Sequence, residues 1–290
     1  MIPVAELARH PWQQVSPCDG ACSAGEPQET AAWLRAIRWA ALVAVLSAGL
    51  LALALAYPCG ATARRVVIRG GARAMLFSLG VRVEPVGNVP LRSLVVANHQ
   101  SLLDIVAIAS IAPAAFVAKA DIFDVRPVAV VMRAFGAIPL RRERLSELPV
   151  TVDHVAELLR RGRTVALFPE GTTYCGVHRG EFRPAFFQAA IDARADVVPV
   201  SLRYSMRLPG PTRGARQTTV AAYVGSDTEI GTLSRVIAAR GVAVRVHATE
   251  VVDAGRWGAA GRGALAARAE AAVFADAAFL DPAAPLPLAA

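Results

Sequence analysis

The segment NHQSLLD holds an imidazole and a carboxylate five residues apart, His99 and Asp104. On a regular helix that interval turns the two side chains about 140° apart. If they are to meet, both cannot be helical. The apolar run RSLVVAN reads as a strand ending at Asn98, and a helix begins near Ser101. With His99 in the loop and Asp104 in the first helical turn, the carboxylate can reach the imidazole. It would hold the tautomer whose other nitrogen accepts a proton, as a general base requires. Taken alone, these residues favour a plainer reading, in which Ser101 and Asp104 form the Ser-x-x-Asp pattern of a helix N-terminal cap. Asp104 can serve both purposes.

Three more segments carry polar chemistry. RTVALFPEGTTYCG reads as a buried strand ending in a turn at Pro169, Glu170 and Gly171, followed by Thr172 and Thr173. A carboxylate, backbone amides and hydroxyls at a strand end suit a polar headgroup or phosphate, and a plain turn fits equally well. FGAIPLRRER, from Phe135, brings Gly136 and then Arg141, Arg142 and Arg144. Arginines clamp phosphate through forked hydrogen bonds, although a solvated charge run has the same composition. In VVPVSL, from Val197, Pro199 inside a strand points to an edge or a distortion.

In this order NHQSLLD, GAIPLRR, FPEGTT and VVPVSL resemble the four blocks of the glycerolipid acyltransferases of the lysophosphatidic acid acyltransferase type. The resemblance implies that His99 deprotonates the acceptor hydroxyl with Asp104 as its partner. Gly136 and Arg142 match the second block, whose arginine is associated with acceptor phosphate. Glu170, Gly171 and Thr172 match the third, linked to acceptor binding and catalysis, and Pro199 the fourth, linked to the acyl donor. Lys119, in FVAKADIF, stands where members often carry a basic residue. Thr173 occupies a position commonly held by arginine or serine, which would pass a phosphate contact to Arg179 or Arg183. Phe182-Arg183-Pro184-Ala185 replaces an FKxG pattern, and Arg141 replaces an acidic residue.

The implied reaction moves a fatty acyl group from acyl-CoA or acyl carrier protein to the hydroxyl of a lysophospholipid, 1-acylglycerol 3-phosphate first. It needs no cofactor or metal, and no acyl-enzyme, in keeping with the lack of a Gly-x-Ser-x-Gly elbow. A lyso-ornithine lipid or other lysolipid as acceptor, a thioester hydrolase and a non-catalytic membrane scaffold are the rival readings.

Strand-like segments (RSLVVAN, AFVAK, TVALF, VVPVSLRY, TVAAYV, VAVRVHATEVV) alternate with helix-like ones (LLDIVAIASI, PVAVVMRAF, TVDHVAELLRR, PAFFQAAIDAR, GALAARAEAAVFADAAF). This is the pattern of an α/β domain with a central, mostly apolar mixed sheet flanked by helices. It is expected over residues 61–280, after a flexible leader (1–30) and a membrane-anchoring helix (31–60), and before a disordered tail (281–290).

From Trp39 to Tyr57 no charge occurs, a run of roughly 28 Å as a helix. It can span a bilayer, or lie partly in the interface. Arg64, Arg65, Arg69 and Arg73 downstream outnumber Arg35 and Arg38 upstream, which places the catalytic part on the cytoplasmic side. The 54% hydrophobic content and mean hydropathy of +0.42 agree with a membrane protein. A net charge of +8 suits anionic headgroups, phosphate-bearing substrates or an acidic acyl carrier, and no nucleic-acid motif accompanies it. Cys18, Cys22, Cys59 and Cys175 read as scattered thiols. Cys18 and Cys22 lack companion histidines at zinc-site spacing and could pair in an extracytoplasmic setting.

Overall fold

RSLVVAN does form a strand, β2 (Ser93–Ala97), and every residue of it is buried. Successive side chains of a strand point to opposite faces. Leu94 and Val96 therefore enter one apolar cluster and Val95 and Ala97 another. A strand apolar on both faces needs helices on both, and this one has them.

In the computed structural model, residues 15–23, 29–124, 129, 132–133, 135–141, 144–207 and 215–275 are described. Besides β2 the strands are β1 (Arg82–Val86), β3 (Ala115–Lys119), β4 (Ile138–Leu140), β5 (Val165–Leu167), β6 (Asp196–Arg207), β7 (Ala215–Gln217), β8 (Val242–Ala248) and β9 (Val252–Asp253). The sheet order is β1-β8-β6-β2-β5-β3-β4, with β7 and β9 also paired to β6. β2 to β6 run parallel to one another, β8 is antiparallel to β6, and β1 is parallel to β8. The expected mixed sheet is thus present and mostly parallel.

The helices are α1 (Ala32–Ala56), α2 (Gly60–Ser78), α3 (Leu103–Ile111), α4 (Leu148–Arg160), α5 (Phe187–Ala193), α6 (Glu229–Ala238) and α7 (Gly261–Phe274). One face of the sheet packs on Leu42, Leu76, Leu103, Ile108, Val236 and Ile237 from α1, α2, α3 and α6. The other packs on α4, α5 and α7 through residues such as Val155, Phe187 and Leu265. Each such fully buried side chain contributes about 1.5–3 kcal/mol.

Two expectations are corrected. TVAAYV is mostly buried but is no strand: Ala222 N–H donates to Thr219 O in a turn, and Tyr223 N–H donates to the Gln100 carbonyl instead of to a sheet partner. Pro199 lies in β6, which is central, not at an edge. On one flank β6 pairs with β9 at Asp196 and Val197, and with β8 from Val200 onward. Pro199 occupies the gap between these two partners, where no N–H is needed. PVAVVMRAF falls mostly, and the tail wholly, outside the described residues.

α1 is the one described helix long and apolar enough to cross a bilayer, with a mean hydropathy of 2.3. After a turn at Tyr57–Cys59, α2 packs back along α1 and against α3, where Arg69 and Arg73 donate to Ser110 O. The chain before α1 and the first turns of α1 also touch the α/β domain: Thr30 N–H donates to Ala238 O at 2.8 Å, and Arg38 to Ile237 O at 2.6 Å. The start of α1 and the α2 helix that follows it therefore both pack against the α/β domain. Of the expected leader, residues 15–23 are described; Cys18 and Ser23 are buried and most of the others are exposed.

Candidate active site

Where β2 ends, side chains take over its ladder to β6. Asn98 donates to Leu202 O at 3.0 Å and accepts from Leu202 N–H at 2.7 Å, and Gln100 also donates to that carbonyl. The backbone is thereby released into a loop at residue 99. His99 Nδ1 lies 2.9 Å from Asp104 Oδ2 across the loop-to-helix junction. The same oxygen accepts the amides of Gln100 and Ser101 at 2.6 and 2.8 Å, and Oδ1 accepts the Tyr204 hydroxyl at 2.7 Å. Ser101 Oγ in turn accepts Leu103 N–H. Asp104 is fully buried, a position a carboxylate tolerates only when its lone pairs are filled. Cap and histidine partner are the same carboxylate.

The His99 ring stacks on Phe168, with centroids 3.9 Å apart and planes within 8°. Ring plane and rotation are both set. With Nδ1 turned to Asp104, the lone pair sits on Nε2, on the opposite side of a ring that is 14% exposed. Burial, and then Asp104, hold the Tyr204 phenol well above its ordinary range, so it acts as a donor.

Glu170 closes the site from β5. Its Oε2 accepts His99 N–H at 2.6 Å and its Oε1 accepts Gly180 N–H at 2.8 Å. It is 1% exposed, and burial pushes its carboxyl up to about 8 although both amides pull the other way. Glu170 thus grips the backbone on either side of the loop, and Tyr174 N–H adds a bond to His99 O. The arrangement can do one thing well: take a proton at a fixed imidazole nitrogen.

Residues 80–203 match the profile of the Acyltransferase family. The 1-acyl-sn-glycerol-3-phosphate acyltransferase of Neisseria meningitidis serogroup B is 32% identical over 200 residues, covering 68% of this chain and 75% of that protein. The chain belongs to this family of acyltransferases. The lyso-ornithine lipid O-acyltransferase of Rhizobium meliloti is 29% identical over 67% of this chain and 69% of its own. In fold, the acyltransferase is similar to the crystal structure of the 1-acyl-sn-glycerophosphate acyltransferase of Thermotoga maritima. That match has a TM-score of 0.61 at 22% identity and covers 86% of this chain and 95% of that one.

Not every residue expected in the site of this acyltransferase reaches it. Gly136 has a φ of 73° and ends a helical turn, its N–H donating to Arg133 O while Ala137 N–H reaches Met132 O. It precedes β4 and faces Arg163, which precedes β5, so it lies at the end of the sheet opposite His99. Lys119 ends β3 on the same side as His99 and pairs with Asp121. Gly171, with a φ of 73°, makes the turn after Glu170. The Thr173 hydroxyl donates to Tyr223 O, which ties the loop to residues 219–224. Thr172 follows Gly171, and Pro199 sits beside Val96 in the sheet interior, its carbonyl accepting from Thr249. Arg142 lies outside the described residues.

Phe168, Tyr204 and Asn98 were not among the expected site residues. Each carried a signal: Phe168 adjoins the Pro-Glu-Gly turn, Asn98 adjoins His99, and Tyr204 is a phenol on a buried strand, which demands a partner. Three of the four thiols are not scattered, and Cys59 stands apart. Cys18, Cys22 and Cys175 converge with His178.

Proposed function

We propose that His99 Nε2 is the general base of acyl transfer from an acyl thioester to the free hydroxyl of a lysophospholipid. The acceptor oxygen gives its proton to Nε2 as it attacks the thioester carbonyl, forming a tetrahedral intermediate. The C–S bond then breaks, and the departing sulfur takes the proton from the imidazolium. Asp104 holds the Nδ1 proton and stabilises the imidazolium. Glu170 positions the loop through the His99 and Gly180 amides. No cofactor or metal enters the reaction. The observation that carries this reading is the 2.9 Å His99–Asp104 contact, made by a carboxylate whose other bonds leave it no alternative orientation.

The acceptor favoured is 1-acylglycerol 3-phosphate, giving phosphatidic acid, with acyl-CoA or acyl carrier protein as donor. It is supported by the name of the Neisseria relative and by the arginines after β4. A lyso-ornithine lipid is the second acceptor, favoured by the Rhizobium relative. The test is purified protein in detergent, both donors and a panel of lysolipids, with product identification. Phosphatidic acid formation that falls in Arg142→Ala supports the phosphate-bearing acceptor, and indifference to that change supports the other. Thiol release at the same rate without any lysolipid would make the chain a hydrolase.

Membrane attachment is supported by the exposed Val43, Leu51 and Leu55 of α1. Because the start of α1 and the returning α2 both contact the α/β domain, the reading is attachment from one face, on the cytoplasmic side. Cys59, exposed at the turn between α1 and α2, reports on it. A membrane-impermeant maleimide added outside intact cells should leave Cys59 unlabelled, and labelling from outside would defeat the assignment.

A further inference from the structure

Cys18, Cys22, Cys175 and His178 have no part in acyl transfer, and Cys18 and Cys175 stand 157 residues apart in sequence. Yet one ligand atom from each of the four lies within 4.8 Å of the others. In a tetrahedron with Zn–S bonds of about 2.3 Å and Zn–N of about 2.0 Å, sulfurs stand about 3.8 Å apart and sulfur and nitrogen about 3.5 Å. His178 Nδ1 lies 3.5 Å from Cys175 Sγ and 3.8 Å from Cys18 Sγ. A disulfide would need two sulfurs, and a hydrogen bond one donor and one acceptor. Four convergent donors exceed both needs.

Backbone N–H groups face the sulfurs. The amides of Val177 and His178 point at the Cys175 sulfur, and Cys175 N–H donates to Cys18 Sγ at 3.3 Å. Gly176, with a φ of 93°, makes the turn within Cys-Gly-Val-His, and a Cβ there would come within 2.5 Å of Gln100 Oε1. Cys18 and Cys22 are brought together by a helical turn over Gly20–Ser23, with Cys22 N–H bonded to Asp19 O. Tyr174, Ala222 and Val224 form an apolar wall around them. Three sulfurs and one imidazole are soft donors, which select zinc over magnesium or calcium.

We propose that Cys18, Cys22, Cys175 and His178 bind one structural zinc ion that clasps the segment upstream of α1 to the loop over residues 174–180. Four protein ligands leave no open position, so the ion holds structure and does no chemistry on a substrate. Binding displaces the three thiol protons to solvent. The clasped loop is the one whose Tyr174 amide holds His99 O and whose Gly180 amide holds Glu170. Zinc would thus steady the catalytic loop from outside.

The experiment uses the full chain in detergent, with metal content measured by mass spectrometry after extensive dialysis. About one zinc per chain is expected, lost in Cys18→Ser/Cys22→Ser and retained in His178→Cys, which keeps four soft donors. Cobalt(II) added to the zinc-depleted protein should give thiolate-to-metal absorption that the double variant lacks. On zinc removal, amides over residues 174–180 should exchange hydrogen at least tenfold faster while the β2 amides hold. A wild-type chain without zinc would overturn the proposal. So would iron in its place, a Cys18–Cys22 disulfide, or undiminished zinc in the double variant.

Discussion

The carboxyl ends of β2 and β5 and the edge beyond β4 are built in opposite ways. At the first, Asp104 is fully buried with four donors upon it, Glu170 grips two amides, and the His99 ring is stacked and bonded. At the second, Arg141 and Arg144 are more than half exposed and share one carboxylate, Glu147. A buried polar network has one satisfied arrangement, whereas exposed arginines can exchange partners without loss. Proton transfer demands the first kind of site and recognition of a headgroup tolerates the second. Relatives named for different acceptors are what such a division would allow.

The largest expected effect breaks the buried side at its centre. His99→Ala should lower kcat about 100-fold to 10,000-fold, the usual range for loss of a general base. Its stability should fall by about 1–3 kcal/mol, because buried Asp104 loses a donor, so activity is compared where the variant is still folded. Full transfer activity in the purified variant would remove His99 from the mechanism.

Glu170 gives the next effect, on stability. Its carboxyl is raised from 4.5 to about 8 in the folded chain. The folded state therefore binds the proton more tightly than the unfolded one. This contribution is fully present below about pH 4.5 and is lost as the pH rises through about 8, on the order of 5 kcal/mol in all. Denaturation curves between pH 5 and pH 9 should show the decline, and Glu170→Gln should flatten it. A stability difference between wild type and Glu170→Gln that stays constant over that window would contradict the burial of this carboxyl.

Asp104→Asn comes third. An amide in place of the carboxylate sets an N–H₂ against donors and loses the charge facing the imidazole. A fall in kcat of about 100-fold with a stability loss of about 1–3 kcal/mol is expected. Tyr204→Phe removes one donor from the same carboxylate and should destabilise by about 1 kcal/mol, with a rate loss under about 10-fold. A Tyr204→Phe variant as inactive as Asp104→Asn would show the phenol acting in the chemistry itself.

The legibility of these regions in the sequence follows the same division. The His99–Asp104 contact could be inferred because a five-residue interval admits it only across a loop-to-helix junction, and β2 is apolar enough to announce where the loop begins. Tyr204 could not, since its meeting with Asp104 depends on β6 lying beside β2, a pairing of segments 100 residues apart. The same holds for Pro199, whose place in a central strand makes sense only once β8 and β9 are seen to divide that flank. Gly136 is opaque for a different reason. It stands in the right block of sequence, but its left-handed conformation serves a helix end on the far side of the sheet. The segment before α1 is held to the α/β domain by a contact between residues 30 and 238, beyond the reach of any local pattern.

The exposed edge should yield the smallest effect on the fold and the most selective one on the substrate. Arg141→Ala/Arg144→Ala removes two ion pairs that water already screens, so the thermal midpoint should move by less than about 2 °C. Were these side chains part of acceptor recognition, KM for 1-acylglycerol 3-phosphate would rise severalfold while kcat at saturating acceptor stayed near wild type. The rise should shrink as ionic strength increases, because the attraction lost is one between exposed charges. An uncharged lysolipid should show no such change. A loss of kcat with KM unchanged, or equal losses for charged and uncharged acceptors, would mean that this edge supports the catalytic loop. The division between a fixed reaction centre and an adaptable rim would then fail.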